Sequence, residues 1–414
     1  MKKNKKNGLI ITITLAGIFS GCFISPTEPE KKSDYEFAAS VLDAYFIFQN
    51  QLPVDLYAYP SPESLYASVN EPWTEYYNKE KAAILRKMLS TVTAGIGIRL
   101  DSARNGFVII DVFVNTPAQK AGLLKKDTIV SVNTTSCVGV DFSTLHDLLQ
   151  GEQGTSVTLG IRRGSQLLEI TITRDVFLAP SVFTDSLDSV TVSIRINSFF
   201  TKTSTVGGTE VEFRNALESS KWAKNLIIDI RGNGGGEINQ CVAVAGYLVP
   251  AETPMVYFHE RFYDELRNVV YTRDTLYKTT GTGYYSNRNL YVLVDKNTAS
   301  ASEMLVLCLK QKTGTGIVKL IGTKTYGKGR GQIVAVGPDS VMAKVTYATI
   351  LPVSAPVYDL VGIEPDISVQ TGDARDVALG IIHSGRANKR FSRLSTGNDF
   401  SIQSTEPMAI KIQE

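Results

Sequence analysis

Asn-Thr-Ala-Ser-Ala-Ser-Glu at 297–303 is followed, after residues 304–324, by Thr-Tyr-Gly-Lys-Gly-Arg-Gly-Gln at 325–332. Residues 290–294, just ahead of the first stretch, are apolar and β-branched, the pattern of a buried strand. Small residues then make a tight turn. Residues 302–311 carry Met304, Leu305, Leu307, Cys308 and Leu309 at helical spacing. A serine held where a strand turns into a helix N-terminus sits among backbone N–H groups that have no intrahelical partner. Such a place suits developing negative charge.

A serine hydroxyl attacks a carbonyl only when something takes its proton. Histidine is the usual base. The chain has three, His146, His259 and His383, and none lies in a Gly-x-Ser-x-Gly elbow or a triad context. A lysine serves instead when burial and neighbouring dipoles lower its pKa towards neutral. Lys328 has a glycine on each side, so its backbone can come close to a site. Gln332 offers an uncharged side chain able to accept a hydrogen bond from the amine. A loop lysine by itself is ordinarily solvated. The Ser turn beside it is what gives Lys328 a role.

The pattern Thr-Ala-Ser-Ala-Ser-Glu followed by Tyr-Gly-Lys-Gly-x-x-Gln resembles the C-terminal processing peptidases, also called tail-specific proteases. These are serine peptidases with a Ser-Lys dyad and an embedded PDZ domain. The resemblance implies that Ser300 is the nucleophile, Lys328 the base, and Gln332 the residue that orients the lysine. The Ser-to-Lys spacing is longer than the family's. The surplus is expected in the Gly-rich turn at 312–317, where insertion costs little. Some members carry Asp where this chain has Gln311, which is given no role.

With 414 residues the chain is too long for one ordinary core, and two or three domains are expected. Hydrophobic residues at 43% and charged residues at 20% describe a globular protein. Of the 43 basic residues, Lys2, Lys3, Lys5 and Lys6 lie in the leader, so the remainder is close to neutral against 41 acidic residues. That balance gives no argument for nucleic acid. After the basic leader comes an apolar run at 8–19, then Ser20-Gly21-Cys22. The run is short for a membrane span and reads as a secretory signal. Small residues before a cysteine resemble the bacterial lipoprotein signal, which implies lipidation at Cys22; the alternative is a plain signal peptide cleaved nearby. Residues 23–33 then form a linker or tether. The other cysteines, Cys137, Cys241 and Cys308, show neither zinc spacing nor a pairing pattern and read as buried free thiols.

From 34 to 90 the pattern is helical, with Tyr35, Phe37, Ala38, Val41, Leu42 and Tyr45 at spacings of three and four. It reads as a small N-terminal helical domain. Asn-Glu-Pro-Trp-Thr-Glu-Tyr-Tyr at 70–77 resembles a turn of the same family, and its aromatics read as packing. From 91 to 175 the pattern changes to strands around a Gly-Ile-Gly loop, a Pro-Ala-x-x-Ala-Gly turn and a helix near 142–150. This order resembles a PDZ domain. A PDZ groove adds an extended C-terminal peptide as a strand and holds its carboxylate on loop N–H groups. Gly95, Ile96 and Gly97 would supply that cradle. His146 falls on the helix beside the groove and reads as an ordinary half-exposed side chain.

From 180 to 380 strands and helices alternate. An apolar strand at 225–230 runs into Arg-Gly-Asn-Gly-Gly-Gly at 231–236, and no Gly-Lys-Ser/Thr comes after it to make it a phosphate loop. In the resembled family such a turn brings backbone N–H groups to the serine. The resemblance implies an oxyanion hole from Ala301 with Gly235 or Gly236. Asp229 and Arg231 read as structural. Residues 251–289, rich in Tyr and Phe, read as a twisted hairpin flanking the site, and 381–414 as a polar C-terminal tail.

The fold expected is multidomain α/β: an N-terminal helical segment, a β-sandwich-like PDZ domain and a core of the ClpP/crotonase type. The activity expected is that of an exported serine endopeptidase acting on proteins or peptides with unstructured C-termini. It is expected to be lipid-anchored, facing the periplasm or exterior of a bacterium, without metal or cofactor and without nucleic acid. Two rivals are a non-catalytic PDZ lipoprotein that binds tails and a crotonase-type acyl-thioester enzyme. The sequence leaves the oligomeric state open.

Overall fold

The computed structural model describes residues 11–14, 23–26, 33–89, 92–103, 106–264, 269–281, 288–311, 318–370 and 372–394. Cys22 and the turn at 312–317 lie outside the described residues. Two short strands, Ile11–Thr14 and Phe23–Pro26, pair with each other.

Ser33 starts the first helix through a capping box: its hydroxyl accepts from the Glu36 N–H at 3.2 Å, and the Glu36 carboxylate accepts from the Ser33 N–H at 3.1 Å. Helix α1 (Asp34–Tyr45) is followed by α2 (Pro62–Ser68), strand β1 (Glu75–Tyr77) and α3 (Lys79–Leu89). The segment differs from the separate helical domain expected. Phe37, Leu42, Phe46 and Leu65 belong to one apolar cluster with Val256, Phe258 and Ile350 far along the chain. A segment this short buries too little of its own surface, so it packs onto the larger core.

The next module is a five-stranded antiparallel path. Strand β2 (Val92–Gly95) leads into β3 (Ile98–Ala103), β4 (Gly106–Val112), α4 (Pro117–Lys120), β5 (Thr128–Val132), α5 (Phe142–Leu149), β6 (Ser156–Arg163) and β7 (Gln166–Thr173). The spatial order is β7-β6-β5-β4-β3. Phe107, Ile109, Ile129, Leu145, Leu159 and Ile161 form its separate core. The exit strand β8 (Asp175–Leu178) pairs antiparallel with the entry strand β2. Arg99 joins the module to residues 182–188 of the core: it pairs with Asp185 at 3.0 Å and lies over the Phe183 ring.

Then come β9 (Val182–Asp188), β10 (Thr191–Ile196), α6 (Gly208–Ser219), β11 (Asn225–Asp229), α7 (Ile238–Leu248), β12 (Pro254–Asp264) and β13 (Val269–Lys278). The chain ends with β14 (Asn289–Val294), α8 (Ala301–Lys310), β15 (Val318–Gly322), β16 (Arg330–Val336), β17 (Met342–Pro352), β18 (Ile367–Ser368) and α9 (Ala374–Leu394). One sheet runs β9-β10-β11-β14-β15-β18, parallel from β10 onward. Its central strands β11 and β14 are largely apolar because both faces are covered. Leu226 and Ile228 face the cluster shared with α7 and α8, while Ile227 and Leu293 face Ala378 and Ile382 of α9. Where a polar tail was expected from residue 381, α9 continues to Leu394, because Ala374, Ala378 and Ile382 recur on one face and cover that side of the sheet. A second, antiparallel sheet runs β16-β17-β12-β13, and β1 pairs with β17. The expected aromatic hairpin is β12–β13.

Candidate active site

Strand β14 is central in the parallel sheet, and its C-terminal end delivers the Ser turn to the start of α8. Ser300 itself is held at φ 57 and ψ −122. That is costly backbone for a residue with a Cβ, and such strain collects at functional sites. The turn is tied to the Gly-rich turn beside it. Ala299 N–H donates to the Asn233 carbonyl at 3.1 Å, Thr298 Oγ1 to the Ile230 carbonyl at 3.0 Å, and Gly232 N–H to Asp295 at 2.9 Å.

The two candidate oxyanion glycines are not equivalent. A Cβ on Gly235 would lie 2.9 Å from Ser300 Cβ and 3.0 Å from the Ala301 nitrogen, so only glycine lets this turn press against the serine. The Gly235 N–H is directed at Asn233 Oδ1, at 2.9 Å. Gly236 forms a parallel bridge with Phe199: Phe199 N–H donates to the Gly235 carbonyl and Glu237 N–H to the Phe199 carbonyl. Gly236's own N–H therefore points away from Phe199. Ala301 is the first residue of α8, among the amides a helix leaves unpaired.

The Lys loop reaches the same turn from the other side. Tyr326 N–H donates to the Thr298 carbonyl at 2.9 Å. Glu303, fully buried, joins the two stretches: its Oε2 accepts from Ser300 N–H at 3.0 Å and Lys328 N–H at 2.8 Å. Its Oε1 accepts from Gly327 N–H at 2.8 Å and Thr325 Oγ1 at 2.6 Å. Burial pushes the Glu303 carboxyl up from its usual range, and these four donors oppose that rise. Asp359 holds the far side of the loop through Gly329 N–H at 2.9 Å and the Arg330 guanidinium at 2.5 Å.

Lys328 lies largely buried in this frame. Burial first, and then the charge of Lys344, pull its pKa down to about 8, against the opposing pull of Glu71 and Glu303. Gln332 is buried on β16, and its Nε2 donates to Thr346 Oγ1 across the β16–β17 pair at 3.4 Å. A lysine with its pKa lowered to about 8, on a loop joined to the turn of a strained serine, is suited to take up a proton in acyl transfer.

The sequence brought out Ser300, Lys328 and Gln332 but gave Glu303 no role. The signal was present: Ser300-Ala-Ser-Glu303 has the spacing of a capping box, which draws the N3 carboxylate back to the N-cap amide. Thr346, Lys344, Glu71 and Asp359 carried no local signal. The histidines lie elsewhere: His259 pairs with Asp274 on the hairpin and His383 with Asp188 near α9. Cys137, Cys241 and Cys308 are buried free thiols. Arg231 bonds to Asp229 and Asp373 and braces the start of the Gly-rich turn.

A second concave surface lies in the antiparallel module. Gly95, Ile96 and Gly97 line a groove with Leu145 and Leu149 of α5 and Phe177 of β8. The groove is apolar apart from His146 and Gln150 at its rim. Gly97 adopts φ +85 against Thr116, and Ile96 and Gly97 point their carbonyls at Ala118 and Phe113.

Residues 191–369 match the model described as peptidase family S41, and residues 94–173 match the model of the PDZ domain. A carboxy-terminal processing protease of Bacillus subtilis, CtpA, is 27% identical over 74% of this chain and 62% of its own length. The alignment thus leaves more than a third of that relative unmatched. A probable CtpA-like serine protease of Staphylococcus epidermidis is 26% identical over 94% of this chain and 78% of its own length. Among solved structures, a putative S41 protease from Bacteroides fragilis superposes with a TM-score of 0.53 at 17% identity, over 83% of this chain and 92% of that one. That likeness bears on the fold.

Proposed function

We infer, from a chain that carries a peptidase family S41 core and a PDZ domain, that the protein is a serine endopeptidase acting on proteins or peptides with unstructured C-termini. The observation that carries this reading is the shared Glu303 oxygen, which brings the Ser300 and Lys328 amides to one point. Ser300 Oγ attacks the scissile carbonyl carbon while Lys328 Nζ, in its neutral form, takes the hydroxyl proton. The oxyanion forms beside the Ala301 and Gly236 N–H groups. The C–N bond breaks as Lys328 returns that proton to the leaving amine, and an ester on Ser300 remains. Water, losing its proton to Lys328, then hydrolyses the ester. Gln332 accepts an N–H from Lys328 and so aims its lone pair. The groove lined by Gly95, Ile96 and Gly97 takes the free C-terminus as an added strand.

The test is cleavage of an unfolded protein with an apolar C-terminal tail. Ser300→Ala should lose turnover by roughly 10⁴-fold or more while still binding the tail. Equal turnover by that variant excludes Ser300 and leaves a tail-binding protein. Activity on an acyl thioester with none on protein would replace the reaction altogether.

Export and anchoring are part of the same proposal and rest on the leader residues. The basic start, the apolar run and Ser20-Gly21-Cys22 support a lipid on Cys22 and a mature protein on the outer side of a bacterial membrane, facing the periplasm or exterior. Labelling with a fatty acid should mark the wild type and not Cys22→Ala; equal labelling would remove the anchor.

A further inference from the structure

The segment 71–77 reaches the back of the Lys328 site from the other end of the chain. Strand β1 pairs with β17 in the register Met342↔Tyr77 and Lys344↔Glu75. Lys344 Nζ donates to Tyr77 Oη at 2.6 Å, and Thr346 N–H donates to Thr74 Oγ1 at 3.0 Å. Thr346 is fully buried, and its hydroxyl donates to Glu71 Oε2 at 2.8 Å. The same oxygen takes the Trp73 N–H at 3.2 Å. The other oxygen of Glu71, Oε1, is buried without a hydrogen-bond partner among the described residues.

We propose that Glu71 is a positioning residue for the general base, acting through Thr346 to fix which end of the Gln332 amide faces Lys328. This rests on the peptidase reading above. A carboxylate only accepts hydrogen bonds, and a threonine hydroxyl has one proton to give. With that proton committed to Glu71, Thr346 presents lone pairs to Gln332, and only the Nε2 end of the amide can meet them, as it does at 3.4 Å. The carbonyl end is then turned to Lys328, where it accepts an N–H and leaves the amine lone pair for Ser300 Oγ. Were the Thr346 proton free, the amide could turn over and present N–H groups to the lysine, which would compete with the serine for that lone pair. The charged groups acting on Lys328 are Lys344 on β17, Glu71 beside β1 and Glu303 on α8; Glu71 and Glu303 favour the protonated lysine.

The experiment compares the full chain with Glu71→Gln, Thr346→Val and the double variant on an internally quenched peptide across pH, with thermal unfolding recorded for each. Glu71→Gln should lower kcat roughly tenfold, the equivalent of about one hydrogen bond, with KM changed less than about twofold. Its acid limb in kcat should move to lower pH, because a carboxylate that holds the proton on Lys328 has gone. Thr346→Val should show a similar loss in kcat with its acid limb in place, and the double variant should fall no further than the worse single one. An unchanged kcat in folded Glu71→Gln, an unmoved limb, or losses that multiply in the double variant would each overturn the proposal. Should Glu71→Gln fail to fold, Thr346→Val decides it: a wild-type kcat there breaks the relay. Activity in Ser300→Ala would instead overturn the peptidase reading itself, so the two failures are distinct.

Discussion

The main-chain amides of Ser300 and Lys328 share a single acceptor atom, Glu303 Oε2. One amide starts a helix and the other sits in a loop between two sheets, and the Tyr326 N–H to Thr298 carbonyl bond ties their backbones two residues away from each. The carboxylate joins the two amides themselves, and Gly327 and Thr325 on its second oxygen keep it from turning.

Glu303→Gln should separate the two stretches. The carboxamide has one acceptor oxygen where four donors now find two, so at least one buried N–H is left facing an NH₂ group. An orphaned buried donor costs about 1–3 kcal/mol. Thermal unfolding should shift down accordingly, and kcat should fall far more than KM rises. A variant with wild-type kcat would show that the junction is not needed for turnover.

Lys328, as the proposed base, makes both activity and stability depend on pH, and both rise as pH rises. The neutral amine is the active form, so kcat/KM should rise with pH and level off above about 8. The unfolded chain returns the lysine to its ordinary 10.5 and binds more protons than the folded one between the two values. Folding stability from this group therefore rises as pH climbs from about 8 to 10.5, and the penalty is full below that window. Lys328→Met should be inactive and more stable than wild type at pH 7 by about 2 kcal/mol. Chemical denaturation at pH 7 and near pH 11 checks this, since the advantage should vanish at the higher pH.

Gly235→Ala should impair the serine without touching it chemically. The new Cβ would meet Ser300 Cβ at 2.9 Å from a backbone at φ +106. Strain of this kind costs about 1–3 kcal/mol, and relief would shift the Ser turn away from the Gly-rich turn. Acyl-enzyme formation followed with an active-site ester should slow by at least about tenfold; an unchanged rate would show that the turn can yield without harm.

Gly97→Ala should act at the groove and leave chemistry alone. Its Cβ would fall 2.4 Å from Thr116 at φ +85, which disturbs the loop expected to hold a carboxylate. Titration of the full chain with a tail peptide should show weaker binding by about tenfold or more. Short peptides without a matching tail should be cleaved with unchanged kcat. Equal loss on both substrates would place the effect in the core.

The sequence made the centre of the parallel sheet legible because β11 and β14 are nearly continuous apolar runs, and it made the Ser turn legible because small residues separate such a run from a helical pattern. It did not show that residues 33–89 lack a core of their own. Helical periodicity tells that Phe37 and Leu42 are buried but not against what, and they pack with the distant Val256 and Phe258. Nor did it show that α9 reaches Leu394, since a polar amphipathic helix reads as a tail until the sheet face it covers is known.

Local pattern by itself determined the order of modules, the strand-to-helix turn at Ser300, and the glycines that let Lys328 approach. Tertiary structure alone decided what stands behind the lysine. Glu71 and Thr346 meet across a separation of 275 residues. Their meeting is set by the antiparallel register of β1 on β17. Sheet pairing joins segments by backbone hydrogen bonds that are indifferent to sequence distance. A short strand ending in Tyr77 therefore says nothing locally about which far strand it will join, or which buried hydroxyl its neighbours will meet.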